Sequence, residues 1–231
     1  MRLSKNYPSS FLLTPAVPGD WRTLPSETAI ILIHRLHELG LQPAGAEVDA
    51  VRILKPAFYP RWLICDLQLA NGSDVRKGEA VLCLYGPDGC TPLDGRSARI
   101  HGHNAHHGVV LATEEQRADY LQFFCVAVFG EDGPFRIVHP STPLVRTIEN
   151  GDPVDPSTIL PLRSLSASGA GVGGFEATVS YARALFRAEF VIHEGGSVMM
   201  ADESPLLDQV VIAPELQFRG SRRHLFSEVE E

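Results

Sequence analysis

The chain has 231 residues, of which 44% are hydrophobic and 21% are charged, and this composition excludes a chain that is disordered throughout. Its 20 lysine and arginine residues and 28 aspartate and glutamate residues give a net charge of −8, which disfavours a protein that binds the phosphate backbone of nucleic acids. The apolar run 29–33 is far shorter than a membrane span. We therefore expect neither a membrane nor a nucleic acid as partner.

Residues 1–22 contain three prolines, one glycine and little periodicity, which predicts an extended arm on the surface of the fold. The apolar run 11–13 is too short for the core of a secretory signal peptide. A first helix is predicted after residue 23, with Thr23 or Ser26 as its cap and Gly40 as its end. Its inward face consists of four apolar residues at helical spacing: Ala29, Leu32, Ile33 and Leu36.

Three strands with period-two alternation follow, at 48–54, 62–69 and 80–85. The next stretch, 86–108, is polar and rich in glycine, and we expect it to be a loop. A loop of this length in a compact domain is functional or mobile.

A second helix is predicted at Thr113, because Thr113 and Gln116 have the spacing of a capping box. Leu121, Phe124 and Cys125 lie along one face of this helix, and Gly130 is expected to end the run. The sequence therefore predicts that this helix is the hydrophobic centre of the fold.

The last part of the chain is predicted to be rich in strands. Residues 135–138 form a short strand, and the alternating runs 175–181 and 186–192 are separated by a bulge or bend near 183–185. A turn at 194–196 leads into a further strand at 197–200. Two helices between groups of strands, without a repeated β-α-β rhythm, predict an α+β fold with a mainly antiparallel sheet packed against two main helices.

These elements predict the organisation of the chain. We expect an N-terminal arm at 1–22, an α+β core at 23–138 and an irregular connection rich in proline and glycine at 139–174. Residues 175–218 either complete the same domain or form a small second one, and residues 219–231 form a tail.

The four cysteines contain no C-x-x-C pair, so that neither a zinc ribbon nor a redox dithiol is indicated. Cys65, Cys83 and Cys125 lie in apolar runs, which predicts buried, reduced thiols and a reducing cytoplasm. Cys90 lies in a polar stretch, and we expect it to be the accessible thiol. It is either a turn cysteine or half of a catalytic pair with His101 or His103.

Four of the nine histidines fall between His101 and His107. On an extended segment, His101 and His103 point to the same side and His106 can complete a set of three metal ligands. The spacing resembles the H-x-H-x-D-H run of the metallo-β-lactamase-like hydrolases, but Ala105 stands where that family has its aspartate. We expect no cofactor, with the alternative of zinc, iron or nickel held by these three histidines.

The glycine-rich run 169–174 matches G-x-G-x-x-G, but no strand precedes it and no helix follows it, so we expect a linker. The aromatic stretch 58–62 is interpreted as a strand entry packed on the core, with a base-stacking or peptide-gripping surface as the alternative. The short basic stretch 219–224 is sufficient for one phosphate or an acidic partner surface.

Residues 93–104 (L-D-G-x-S-x-x-I-H-x-x-N), 119–125 (D-Y-L-x-F-F-C) and 131–135 (E-D-G-P-F) resemble a family of uncharacterised bacterial proteins. The resemblance covers about a quarter of the chain and implies a bacterial, cytoplasmic origin and one continuous unit across 90–138. It implies no activity and no catalytic residue.

The sequence therefore favours a non-catalytic binding or accessory protein of a bacterial cytoplasmic assembly. Its interaction surface would be the 86–108 loop and its partner another protein, with the oligomeric state left open. The alternative is a metal-dependent, hydrolase-like enzyme that uses His101, His103 and His106.

Overall fold

The computed structural model of the chain describes residues 17–41, 47–69, 77–140, 145–147, 153–166, 171–212, 215–219 and 222–226. Three α-helices lie in this part of the chain: α1 (Ser26–Glu38), α2 (Ser97–His107) and α3 (Glu114–Ala127). A 3-10 turn covers Pro156–Thr158. Among the described residues, no helix has both the length and the apolar character needed to cross a membrane.

The strands found in the described ranges are, in chain order: β1 (Arg22–Thr23), β2 (Val48–Leu54), β3 (Leu63–Leu69), β4 (Lys77–Gly86), β5 (Gly89–Pro92), β6 (Phe129–Gly130), β7 (Gly133–Pro134), β8 (Arg136–Ile137), β9 (Val145–Thr147), β10 (Arg163–Leu165), β11 (Gly173–Tyr181), β12 (Ala184–Ile192), β13 (Val198–Leu207), β14 (Val210–Ile212), β15 (Glu215–Arg219) and β16 (Arg222–Phe226). Within the described part of the chain the strands of every ladder run antiparallel, and one parallel bridge joins Gly95 to Val128. The fold is α+β with mainly antiparallel sheet, as the sequence predicts.

The first sheet has the order β1-β2-β3-β4-β16-β15, and β5 also pairs with β4 beside β16. Helix α1 packs on one face of this sheet through the four residues predicted from the sequence. The helix ends as predicted at Gly40, whose φ is +83°. The Gly40 N–H donates to His37 O and the Leu41 N–H donates to Leu36 O, so that the last carbonyls of the helix are satisfied.

The second sheet has the order β10-β11-β12-β13, and β8 pairs with β11 at Val179 and Ser180, near the C-terminal end of β11. The sequence predicts a bend near 183–185, but β11 and β12 form a hairpin with the two-residue turn Ala182-Arg183. Both turn residues have positive φ, +50° and +62°. Such turns usually carry Asn-Gly or another glycine pair, and Ala-Arg gives no such signal. The predicted turn at 194–196 is confirmed, with Gly195 and Gly196 both at positive φ.

Helix α3 begins at the predicted capping box and is the hydrophobic centre of the fold, as its apolar face predicts. The Gln116 N–H donates to Thr113 Oγ1 and the Thr113 N–H donates to Gln116 Oε1. Tyr120, Leu121 and the five residues Phe123–Ala127 are buried. They join a core that also contains Ile64 and Leu84 of the first sheet and residues of β11 and β12. The helix ends at Ala127, three residues before the predicted Gly130.

Two predicted irregular segments contain regular structure. The stretch 86–108 is not a loop, because it contains β5 and the 11-residue helix α2. The prediction of a tail from residue 219 is corrected at β16, which pairs with β4. Its charged residues hide the alternation that would have indicated a strand.

The division of the chain at 138 and 175 stays a prediction. Backbone pairing of β11 with β8 and of β16 with β4 joins the last third of the chain to the part before residue 138. The connection 139–174 contains β9, the 3-10 turn and β10, and Gly173 and Gly174 belong to β11. Residues 1–16, 169–170 and the acidic end 227–231 lie outside the described ranges.

We expect Phe124→Ala to lower the free energy of unfolding by about 3–5 kcal/mol, because Phe124 is buried in the main core and its truncation opens a cavity. Urea denaturation of the wild type and the variant measures this loss. Met199→Ala, at a half-exposed position on β13, is the control and should change stability by less than about 0.5 kcal/mol. Equal midpoints for Phe124→Ala and the wild type would contradict the assignment of α3 to the core.

Candidate functional site

Helix α2 carries the histidine cluster, and sequence patterns did not predict this helix. Its buried residues are Ile100, His103 and Asn104, so only one apolar residue faces the core. The helix ends at Gly108, whose φ is +78° and whose N–H donates to Asn104 O at 2.8 Å. Without an apolar stripe, periodicity gives no helix signal.

The structure does not bring His101, His103 and His106 together. In a helix, residues two apart are separated by about 200°, so His101 and His103 point to different sides of α2. His101 lies beside Phe124, with ring centroids 5.8 Å apart, and His106 is exposed with Nδ1 2.7 Å from Gly102 O. Within the described ranges, no three His, Cys, Asp or Glu side chains form a group that could hold a metal ion. Asp94, the nearest carboxylate in sequence, pairs instead with Arg96 and Arg99.

His103 pairs with His107, one helical turn away, rather than with the other predicted ligands. The two rings are 4.9 Å apart, and Trp62 lies against both, at 4.4 Å from His103 and 4.5 Å from His107. His107 Nδ1 lies 3.9 Å from Asp88 Oδ2 at the surface. His103 therefore packs edge-on and His107 packs tilted against Trp62, and the histidine cluster does not form a tripod.

His103 is 3% exposed and is held by one polar contact, between its Nδ1 and Thr91 Oγ1 at 3.0 Å. Its Nε2 has no hydrogen-bond partner among the described residues. Burial lowers the pKa of His103 to about 4, and the neighbouring His107 contributes to this shift. The imidazole is therefore neutral at physiological pH and keeps one unused polar nitrogen.

Asn104, next to His103, connects three separate parts of the chain. The Tyr59 hydroxyl donates to Asn104 Oδ1 at 2.5 Å, and Asn104 Nδ2 donates to the Tyr120 hydroxyl at 2.9 Å and to Gly195 O at 3.0 Å. The Tyr120 hydroxyl in turn donates to Gly196 O at 2.6 Å. Burial raises the pKa of both tyrosines, so both hydroxyls stay protonated as donors. The sequence contained no signal for this network, because its members are far apart in the chain.

An open cleft of about 590 Å³ lies between the end of α1 and the β4–β5 turn. Its lining residues are Arg35, Glu38, Leu39, Arg61, Leu63, Tyr85, Gly86, Pro87, Asp88 and Gly89. Leu63 and Tyr85 are register partners on β3 and β4 and form the apolar floor. Gly86 sets the position of the turn, because a Cβ there would lie 2.5 Å from the Trp62 indole.

Two ion pairs stand at the rim of this cleft. Arg35 Nη1 lies 2.9 Å from Glu38 Oε2, and Arg61 Nη2 lies 3.8 Å from Asp88 Oδ2. All four side chains are more than half exposed, and exposed pairs of this kind contribute about 0–1 kcal/mol to stability. They are therefore available to a partner at little cost to the fold. The sequence placed only the turn 86–89 within a candidate surface.

The prediction that Cys65, Cys83 and Cys125 are buried thiols is confirmed. Cys65, Cys83 and Cys125 are buried free thiols, and Cys90 is half-buried. Cys90 and Thr91 are neighbours on β5 and point to opposite faces of the sheet. Thr91 meets His103, whereas Cys90 packs with the cluster under α1, so the structure does not pair Cys90 with His103. The aromatic stretch 58–62 is packed on the core at Phe58, Tyr59 and Trp62, as interpreted from the sequence.

Comparison of the chain with models of protein families, with curated proteins and with solved structures finds no match in any of the three. The resemblance to uncharacterised bacterial proteins therefore stays a prediction.

The lowered pKa of His103 predicts how stability depends on pH. Below about pH 6.5 the unfolded chain takes up a proton at this histidine, whereas the folded chain does so only near pH 4, so stability present above pH 6.5 is lost between these values. In the wild type the free energy of unfolding should fall by a contribution on the order of 2 kcal/mol between about pH 6.5 and pH 4, and His103→Gln should abolish this contribution. Urea denaturation at several pH values measures it. His106→Gln, on the exposed side of α2, is the control, and an unchanged pH slope in His103→Gln would contradict the assignment.

Proposed function

We propose that this chain is a non-catalytic binding protein that docks a partner protein in the cleft between α1 and the β4–β5 turn. The observation that carries the proposal is the exposure of apolar side chains beside this cleft. Ile31 on α1 is 65% exposed and Leu39 at the end of the helix is 49% exposed. Isolated exposed apolar residues are common, but an apolar patch with a polar rim is typical of interfaces.

The outer face of α1 continues the cleft. Ile31, Arg35, Glu38 and Leu39 follow at intervals of four, three and one residues, a spacing that puts them on one side of the helix. The opposite side of α1 is fully used by its packing on the first sheet. The outer side thus carries a short stripe of two exposed apolar side chains, Ile31 and Leu39, with one ion pair between them, and Leu39 lines the cleft together with Leu63 and Tyr85.

The rim chemistry favours a protein over a small anionic ligand. Arg35 and Arg61 each lie beside a carboxylate, so the rim carries both signs of charge. A partner could present an apolar or aromatic side chain flanked by charges of both signs. That side chain would pack on the apolar floor, and its charged neighbours would pair with the rim residues in place of the two ion pairs. The β4–β5 turn contributes the beginning of the 86–108 stretch to this surface.

The proposal includes a bacterial cytoplasmic assembly as the setting. Its supports are the predicted resemblance of residues 93–104, 119–125 and 131–135 to uncharacterised bacterial proteins and the free thiols in apolar surroundings, which suit a reducing compartment. The competing hypothesis of a metal-dependent enzyme requires His101, His103 and His106 to converge, and in helix α2 their side chains have different neighbours.

The test compares partner capture by the wild type and by Ile31→Glu/Leu39→Glu, a double variant that charges the exposed stripe. Full-length protein is cross-linked in a lysate of its native cells, and captured proteins are quantified by mass spectrometry. We expect one partner to be captured at least about tenfold less by the double variant, because two apolar contacts of the interface are lost. Binding of the purified partner should weaken by a similar factor.

Met199→Glu is the matched control, because Met199 is 50% exposed but lies on β13 of the second sheet. It should capture the partner as the wild type does. All three proteins should have the same melting temperature within about 2 °C, since the changed positions are exposed. A set of captured proteins that is identical for the wild type and the double variant would contradict the proposal.

A further inference from the structure

Three of the four cysteines lie together on adjacent strands of the first sheet. Cys65 on β3 is the register partner of Cys83 on β4. Cys83 is opposite Pro92 on β5, and Tyr85 is opposite Cys90, so Cys90 is the diagonal neighbour of Cys83 on the same face. All three thiols belong to the cluster under α1, and Cys83 has hydrogen-bond contacts with both Cys65 and Cys90.

The three thiols differ in access to solvent. Cys65 and Cys83 are fully buried, whereas Cys90 is half-buried. Cys90 continues the row Leu63–Tyr85, which is the floor of the cleft, because Tyr85 is its register partner. Cys90 does not itself line the cleft, but it lies in the same row as two lining residues, whereas Cys65 and Cys83 lie in the next row and are fully buried.

The contact between Cys83 and Cys90 also divides the roles of the two thiols. The Cys83 thiol donates a hydrogen bond to the Cys90 sulfur, and this lowers the pKa of Cys90 although burial opposes the shift. The pKa of Cys83 is raised by its contacts with Cys65 and Cys90 and by burial. Cys90 is also the less buried of the two and can be solvated as a thiolate, and the thiolate is the nucleophile in cysteine chemistry.

We propose that Cys90 is a site of oxidation by hydroperoxides and that Cys83 resolves the oxidised form to a Cys83–Cys90 disulfide. The proposal rests on the placement of an accessible thiol diagonally opposite a buried one, and it is independent of the partner-binding function. It assigns a modification site whose substrate class is a small hydroperoxide, including hydrogen peroxide.

In the first step the Cys90 thiolate attacks the terminal oxygen of the hydroperoxide. A sulfur–oxygen bond forms, the oxygen–oxygen bond breaks, and the leaving alkoxide takes a proton from solvent to become the alcohol, or water when the oxidant is hydrogen peroxide. The product at Cys90 is a sulfenic acid. Cys90 has lost two electrons and the hydroperoxide has gained them.

In the second step the Cys83 sulfur attacks the Cys90 sulfur. The disulfide bond forms, the sulfur–oxygen bond breaks, and the hydroxide leaves as water with the proton of the Cys83 thiol. In total, two thiols and one hydroperoxide give one disulfide, one alcohol and one water.

The other two cysteines lack one of the required features. Cys65 is fully buried behind Cys83 and has no access to an oxidant. Cys125 lies in α3, in the core on the side of the first sheet opposite to α1, and burial raises its pKa to about 12. Cys125 therefore serves as an internal control in the same chain.

The test exposes the folded, full-length protein at pH 7 to hydrogen peroxide in slight excess and follows each cysteine by alkylation and peptide mapping. We expect Cys90 to be oxidised at least about tenfold faster than Cys125. In the wild type, two thiols should disappear for each peroxide consumed, with a Cys83–Cys90 disulfide as the product. Cys83→Ala should instead accumulate a sulfenic acid at Cys90 that dimedone traps, and Cys90→Ser should consume no peroxide.

Cys83 is buried, so Cys83→Ala can reduce stability. The test does not depend on this variant, because the loss of two thiols for each peroxide consumed is measured on the wild type. Cys125→Ala is the control for loss of a buried thiol and should give the same disulfide as the wild type. A Cys65–Cys83 disulfide, loss of one thiol per peroxide, or equal oxidation rates at Cys90 and Cys125 would each overturn the proposal. Treatment with dithiothreitol should restore both thiols, whereas further oxidation to a sulfinic acid would not reverse.

Discussion

The structure depends on one buried polar side chain, Asn104, which must have hydrogen-bond partners because an unpaired buried amide costs about 1–3 kcal/mol. Its partners come from the loop before β3, from α3 and from the β12–β13 turn, so a single side chain joins the two sheets through α2. The turn can approach this closely because Gly196 has no side chain. A Cβ there would lie 2.6 Å from Asn104 Nδ2, and its φ of +80° also favours glycine.

At β5 the two faces of the first sheet have different neighbours, because helix α2 lies on one of these faces. On one side Thr91 meets His103, and the ring of His103 packs with Trp62 against the core. On the other side Cys90 faces Cys83 and the floor of the cleft. Alternation of side chains along one short strand thus separates a neutral, buried histidine from a reactive thiol. The proposed docking surface and the proposed oxidation site both lie on the α1 side.

Sequence patterns predicted the elements that carry a strong local signal. The capping box at Thr113, the glycine end of α1 and the limits of β2 are as expected, because each depends on residues close together in the chain. Helix α2 was missed because its inward face is made of His103 and Asn104, whose burial is compensated by hydrogen bonds to residues remote in sequence. The His-x-His interpretation assumed an extended segment and therefore the wrong angular spacing. The cleft was missed because its two walls are about 50 residues apart in the chain.

A double-mutant cycle at Asn104 and Tyr120 tests the central role of this network most directly. Unfolding free energies are measured for the wild type, Asn104→Ala, Tyr120→Phe and the double variant. In a control cycle Tyr181→Phe replaces Tyr120→Phe, because the Tyr181 hydroxyl accepts from the Asp132 N–H and takes no part in the Asn104 network. We expect Asn104→Ala to cost about 2–4 kcal/mol and the Asn104–Tyr120 cycle to give a coupling of at least about 1 kcal/mol, since both single changes leave buried groups unpaired. The control cycle should be additive within about 0.5 kcal/mol. Additivity in both cycles, or an Asn104→Ala variant as stable as the wild type, would contradict the account.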